Sequence, residues 1–323
     1  MLNKRVVIVI AGIFLLSGIS LTLAAKVKGL KAPTSVGSLS KTSTKQGRRT
    51  TTKSFTVKGL AKMKALTISG SINAFVHSGK EVKVRYTECL GSDGKPLHPV
   101  QVKQHGNDIV ASFIHRSHHS TFGPPCGYYV RYHILVPKGS SLALQTVSGS
   151  IRTQGTKGKV KLRTVSGSIH AKEVKSNKIA SVSGAIFLKN AKGSTLLRNV
   201  SGVIQASDIT GPKIHCKSVS GSVKLHKIQS ENIRVKSVNG SIKVTGFVPG
   251  KNSYFNTVSG SVYVHPSSAK GFRLTARTAF GGIRSAFPLK DLQRTRRSLS
   301  GQYKKGQAHI YMKSLSGQLE LRK

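Results

Sequence analysis

The phrases QTVSGSI (Gln145–Ile151), RTVSGSI (Arg163–Ile169), ASVSGAI (Ala180–Ile186), RNVSGVI (Arg198–Ile204), KSVSGSV (Lys217–Val223), KSVNGSI (Lys236–Ile242) and NTVSGSV (Asn256–Val262) repeat one pattern. Their glycines, Gly149, Gly167, Gly184, Gly202, Gly221, Gly240 and Gly260, stand 18, 17, 18, 19, 19 and 20 residues apart. A worn copy follows at Gly281 (TAFGGI), and another ends the chain at Gly317 (KSLSGQLEL). A fixed period of this size marks a stacked repeat.

The face of the repeat indicates strands. Counted from each glycine, positions −5, −2 and +2 are almost always apolar, as Leu162, Val165 and Ile169 show in the second copy. Alternation among β-branched residues predicts strand rather than helix, and Gly with Ser between two such runs predicts a tight bend. Two short strands and a bend form one coil, which cannot bury its own apolar face. The core must therefore come from stacking coils about 4.8 Å apart. The expected fold is an all-β solenoid of ~17–20-residue coils. Its inward residues are expected to include Leu144, Val147, Ile151, Leu162, Val165, Ile169, Leu197, Val200 and Ile204, with Thr164 outward.

These phrases, the lead-in VPKGSSLALQTVSGSI (Val136–Ile151) and the terminal SLSGQLEL resemble the putative-adhesin family of bacterial envelope proteins, from roughly Phe55 to the end. The resemblance implies a right-handed β-solenoid (β-helix) without catalytic residues and with no defined biochemical role.

Outside the repeat, composition divides the chain. Lys4 and Arg5, the apolar run Val6–Leu16 and the small residues Ala24 and Ala25 follow the order of a secretory signal, residues 1–25. The apolar stretch also approaches the ~20 residues that span a bilayer, so an uncleaved anchor is the alternative. Either way the body is exported, to the periplasm or cell surface. Residues 26–54 carry eight Lys and Arg, no acid and many Ser and Thr, which predicts a disordered linker. Residues 55–137 read as irregular first coils that cap one end of the stack. Residues 138–323 read as regular coils, interrupted by a basic loop at Lys290–Arg297 and closed by Ala308–Leu315 and SGQLELRK.

Of 323 residues, 53 are Lys or Arg and nine are Asp or Glu, a formal charge of +44. Such a field favours anionic partners: an acidic polysaccharide, lipopolysaccharide or an anionic membrane surface. A uniformly basic proteome is the competing explanation. Ten outward positions are candidates for polyanion binding: Arg152, Lys161, Arg163, Lys172, Arg198, Lys217, Lys224, Arg234, Lys236 and Lys243. Stacking would align like charges that repel unless a polyanion screens them. Solenoid ends also suit end-to-end self-association. Nucleic acid is disfavoured by export, although Tyr128, Tyr129, Arg131 and Tyr132 interleave aromatic and basic groups as stacking platforms do.

Residues that could carry chemistry are sparse. Glu173, Asp208 and Glu231 are the only acids of the regular coils, and Glu173 and Asp208 share position +6 two coils apart. A degenerate polysaccharide-processing enzyme would need clustered acids or a metal held by them, and no cofactor motif is present. The Ser and Thr columns at −3 and −1 read as bend-satisfying hydroxyls. A flat ice-binding array is disfavoured by Arg163, Arg198, Lys217 and Lys236 beside them. Cys216 aligns with Leu162 and Leu197 and is expected in the core as a small hydrophobe. Cys89 and Cys126, in an exported chain, are expected to pair as a disulfide. The alternative is a metal site with His115, His118 and His119, although the spacing fits no familiar ligand pattern. The function read from sequence is non-enzymatic binding or scaffolding of adhesin type.

Overall fold

The computed structural model describes residues 39–45, 47–91, 93–97, 99–113, 129–267 and 271–323. Among them it is all-β, without a helix. Two compact units form, one reaching to Gly158 and including Leu162–Ser166, the other built of Lys159–Lys161 and Gly167–Lys323. Residues 1–38, where a signal segment and the start of a linker were expected, lie outside the described residues, as do Cys126, His115, His118 and His119.

In the first unit, the early phrase around Gly70 stacks directly on the phrase around Gly149. Lys62–Ser69 runs parallel to Ser141–Ser148, and Ile72–His77 parallel to Ile151–Gln154. On their other side Lys62–Ser69 pairs in parallel with Asp108–Phe113, and Ile72–His77 with Val130–Pro137. From there the pairing turns antiparallel, through Glu81–Cys89, Arg48–Thr56 and Leu39–Lys45. The expected disorder of residues 26–54 is thus overturned from Leu39 on. Arg48–Thr56 pairs along its whole length with Glu81–Cys89 and buries Thr51 and Phe55. Its run of threonines is poor in apolar area but suits a pleated, half-buried surface.

In the second unit each coil contributes to two parallel ladders. After the glycine bend, the partners run Ile169–Ile186–Ile204–Val223–Ile242–Val262–Leu319. Before the bend they run Ile179–Leu197–Cys216–Val235–Phe255–Met312. All thirteen side chains are buried. Full burial of such a side chain stabilises by roughly 1.5–3 kcal/mol, and only the neighbouring coil makes that burial possible. Cys216 sits in this column as expected, between Leu197 and Val235.

The C-terminal phrase does not end the stack. Ala308–Ser316 inserts between Asn252–Asn256 and Phe272–Phe280, parallel to both. Lys290–Arg297 is not simply a loop: Lys290–Arg294 pairs antiparallel with Ser298–Tyr303, which pairs antiparallel with Phe272–Phe280. Phe272, Phe287 and Tyr303 form an aromatic cluster behind this closing edge, with ring centroids 4.8–5.3 Å apart.

The largest correction concerns the bend. Val147, Val165 and Val200, expected inward, are only half-buried, and Val219, Val238 and Val258 are exposed. The hydroxyl or amide at −3 points inward instead, at Thr146 and Thr164 in the first unit and at Ser181, Asn199, Ser218, Ser237, Thr257 and Ser314 in the second. The reason lies in the glycine of the preceding coil. A Cβ on Gly202 (φ 116°) would stand 2.6 Å from the Gly184 carbonyl oxygen, and one on Gly260 (φ 153°) 2.5 Å from that of Gly240. No side chain fits between successive glycines. The carbonyl turned inward there is met by the −3 side chain of the next coil. Asn199 Nδ2 donates to Gly184 O at 2.9 Å, Thr257 Oγ1 to Gly240 O at 3.2 Å and Ser314 Oγ to Gly260 O at 3.1 Å. The hydroxyls of Ser181, Ser218 and Ser237 occupy the same place without a hydrogen-bond partner.

A candidate binding face on the second unit

From the Gly202 coil onward, with −3, −5 and −7 inward, positions −2, −4, −6 and −8 make the outer face of the pre-bend ladder, whereas Ala180 and Val182, at −4 and −2 in the Gly184 coil, are buried. Position −6 holds His215, Arg234, Tyr254, Tyr311 and Thr275 in register. Position −4 holds Arg198, Lys217, Lys236, Asn256, Lys313 and Arg277, and position −8 holds Lys213, Asn232, Asn252, His309 and Arg273. None of the three columns contains an acid.

The aromatic residues are packed against one another. The Tyr254 and Tyr311 rings stack at 4.5 Å with 4° between their planes. The Arg234 guanidinium lies 5.4 Å from the Tyr254 centroid, and the His309 ring stacks 3.7 Å from that of Tyr311. Thr275 Oγ1 and His309 Nε2 are 3.1 Å apart. A groove of ≈ 480 Å³ runs along this surface, lined by Arg234, Lys236, Tyr254, Arg277, Tyr311 and Lys313 among others. A second hollow of ≈ 420 Å³ adjoins Arg234 and Tyr254 and includes Lys213, His215 and Asn232. The crowding of cations is felt by His215. Burial first, then Lys217, Arg234, Arg198 and Lys236, hold its imidazole below the usual value. His309 is also held low, by burial and then by Arg273.

The ten basic residues singled out from sequence do not form one surface. Arg198, Lys217, Arg234 and Lys236 belong to this face. Lys224 and Lys243 pair with each other on the post-bend ladder, where Lys172 also lies, opposite Lys189. Arg152 and Arg163 belong to the first unit, and Lys161 to the second. Tyr254, Tyr311, Lys313 and Arg277 were missed by the sequence reading. Their shared −6 or −4 offset from Gly260, Gly281 and Gly317 was the available signal.

The two aligned acids have a backbone explanation. Position +6 is left-handed in five successive coils of the second unit: Glu173 (φ 55°), Asn190 (53°), Asp208 (56°), Lys227 (51°) and Gly246 (61°). Asn, Asp and Gly tolerate this region better than other residues. Glu173 also pairs with Lys172 at 3.4 Å, both half-exposed.

Of the cysteines, Cys216 is free and fully buried, and burial pushes its thiol up to about 12. Cys89 is disulfide-bonded, while Cys126, the partner expected from the sequence, lies outside the described residues. The aromatic and basic run of the first unit is split: Tyr132 is wholly buried, Arg131 Nε donates to the Tyr129 hydroxyl at 3.1 Å, and Tyr128 is outside the described residues.

A face of in-register side chains on stacked parallel strands belongs to the class of repeat-built all-β proteins. Within that class, the chain belongs to the Toastrack DUF4097 family, whose profile matches residues 132–322. The family match begins well after Phe55. Among curated proteins none matches. Three solved structures are similar at low identity. A putative cell adhesion protein from Clostridium sporogenes is 11% identical; the match covers 85% of this chain and 98% of that one, with TM-score 0.22. A putative adhesin from Bacteroides fragilis is 11% identical, covering 84% and 97%, with TM-score 0.39. A putative lipid binding protein from Parabacteroides distasonis is 13% identical, covering 85% and 97%, with TM-score 0.42. At these scores they add no weight to a functional reading.

Proposed function

We propose that this chain is an exported, non-enzymatic binding protein of adhesin type, a right-handed β-solenoid of ~17–20-residue coils whose basic surface holds an anionic polymer of the cell envelope. The observation that carries the reading is the outer face of the second unit. Arg198, Lys217 and Lys236 recur at the strand spacing of about 4.8 Å, as do Lys313 and Arg277, with no acid between them, and the two groups flank Asn256 and a stacked tyrosine pair. Like charges at that spacing repel, and a bound polyanion relieves the repulsion. A ligand that binds only the folded state stabilises it by mass action. Lipopolysaccharide and acidic polysaccharide share the needed chemistry, and an uncleaved N-terminal segment would hold the protein beside them.

The test is a thermal melt with and without lipopolysaccharide or heparin, at low and at moderate salt. A rise in midpoint that shrinks as salt increases supports the reading, because release of counterions drives binding to polyanions. An unchanged midpoint at both salts would mean that the charge is a habit of composition.

A further inference from the structure

The fourth column of the same face is apolar. Position −2 carries Val219, Val238, Val258 and Leu315, which are 45%, 41%, 43% and 51% exposed, and Phe280 beside Leu315's neighbour Ser316 is 68% exposed. The column is continuous. Asn239 N donates to Val219 O, Val258 N to Val238 O and Leu315 N to Val258 O, so successive residues stand one strand apart. Nothing in the core needs these side chains, since the −3 hydroxyls face inward in their place. Two residues away on the same face, Lys217, Lys236 and Lys313, also exposed, lie in a parallel column that only Asn256 interrupts.

We infer that this ridge is the edge by which the second unit docks on an anionic lipid bilayer. The inference deepens the polyanion reading and rests on it. A soluble polysaccharide could satisfy the lysines but would leave four aliphatic side chains and a phenylalanine in water. A bilayer surface accommodates both columns at once. Aliphatic and aromatic groups enter the boundary between headgroups and chains, while Lys and Arg meet the anionic headgroups. A contiguous apolar strip of this kind, rimmed by charge, marks an interaction surface.

The full chain is used throughout, so that its own N-terminal segment is common to every sample. An environment-sensitive fluorophore placed at Val238→Cys should shift to the blue with phosphatidylglycerol vesicles, but not with phosphatidylcholine vesicles or with heparin. The same label at Lys243→Cys, on the other ladder, should not shift. In parallel, a variant carrying Val219→Ser, Val238→Ser, Val258→Ser and Leu315→Ser should lose its preference for phosphatidylglycerol over phosphatidylcholine about tenfold. Its heparin affinity should stay within about twofold, since the lysines remain. Its melt without ligand checks that it is folded. Heparin binding with no shift at Val238 overturns the ridge and leaves the polyanion reading standing. A folded serine variant that keeps the vesicle preference of the wild type overturns the ridge too. Binding to neither heparin nor vesicles overturns both.

Discussion

The two units solve the same problem differently. In the second, every coil from Gly167 to Gly260 repeats one set of contacts, with glycine against glycine, β-branched and other apolar residues in columns, and no ion pair in the core. In the first, two parallel coils give way to long antiparallel strands whose contacts are individual. Glu88 is 1% exposed and takes Arg49 Nε and Nη2 on one oxygen at 2.9 and 2.6 Å, while its other oxygen accepts the Val100 N–H at 3.1 Å. Cys89 beside it is disulfide-bonded. A parallel stack can be held by a pattern, because each coil offers its neighbour the same surface. An antiparallel edge needs particular pairs, because no neighbour repeats it.

The sharpest break of that comparison is at a glycine. Gly202→Ala puts a Cβ against the Gly184 carbonyl at a positive φ, and is expected to destabilise the second unit by about 3–4 kcal/mol, read by denaturant unfolding. A cost below about 1 kcal/mol would mean that the coils separate freely and the glycine column is not what fixes their spacing.

In the first unit the matching experiment is Glu88→Ala. It leaves the Arg49 guanidinium and the Val100 N–H without their acceptor, and should cost about 2–3 kcal/mol, less than a fully buried pair because Arg49 is partly exposed. If the loss is no larger than for the exposed Lys62–Asp108 pair, the antiparallel edge does not depend on it.

A smaller effect separates the two sides of the bend. Thr257→Val keeps shape but removes the donor to Gly240 O, and should cost about 1–2 kcal/mol. Its neighbour Val258→Thr, on the exposed ridge, should change stability by no more than about 0.5 kcal/mol. A reversed order would restore the valine to the core.

The smallest effect is on pH. His215 has a lowered pKa in the folded state, so the unfolded chain binds its proton first as pH falls. Stability should therefore decline as pH drops below the ordinary histidine value of about 6.5 and through the lower folded value. A polyanion on the face should raise the His215 pKa and flatten that slope, which imidazole resonances followed by NMR would show. A His215 titration indifferent to polyanion would place the ligand elsewhere.

Much of this was written in the sequence. The glycine period, the inward residues at −5 and +2, and the core place of Cys216 follow from local repetition, since each coil must present its successor with a matching surface. Alternation from −7 and −5 also points to −3 as inward, yet side-chain polarity argued for the valine at −2. Tertiary structure decided between them. Only the stacked neighbour supplies a glycine carbonyl that needs a donor, and no single coil contains that partner. The same holds for the insertion of the last phrase between earlier coils and for the strands at Leu39–Lys45 and Arg48–Thr56. It also holds for the face where Tyr254 meets Tyr311. Each is a pairing between segments distant along the chain, and a pattern with a period of one coil carries no record of it.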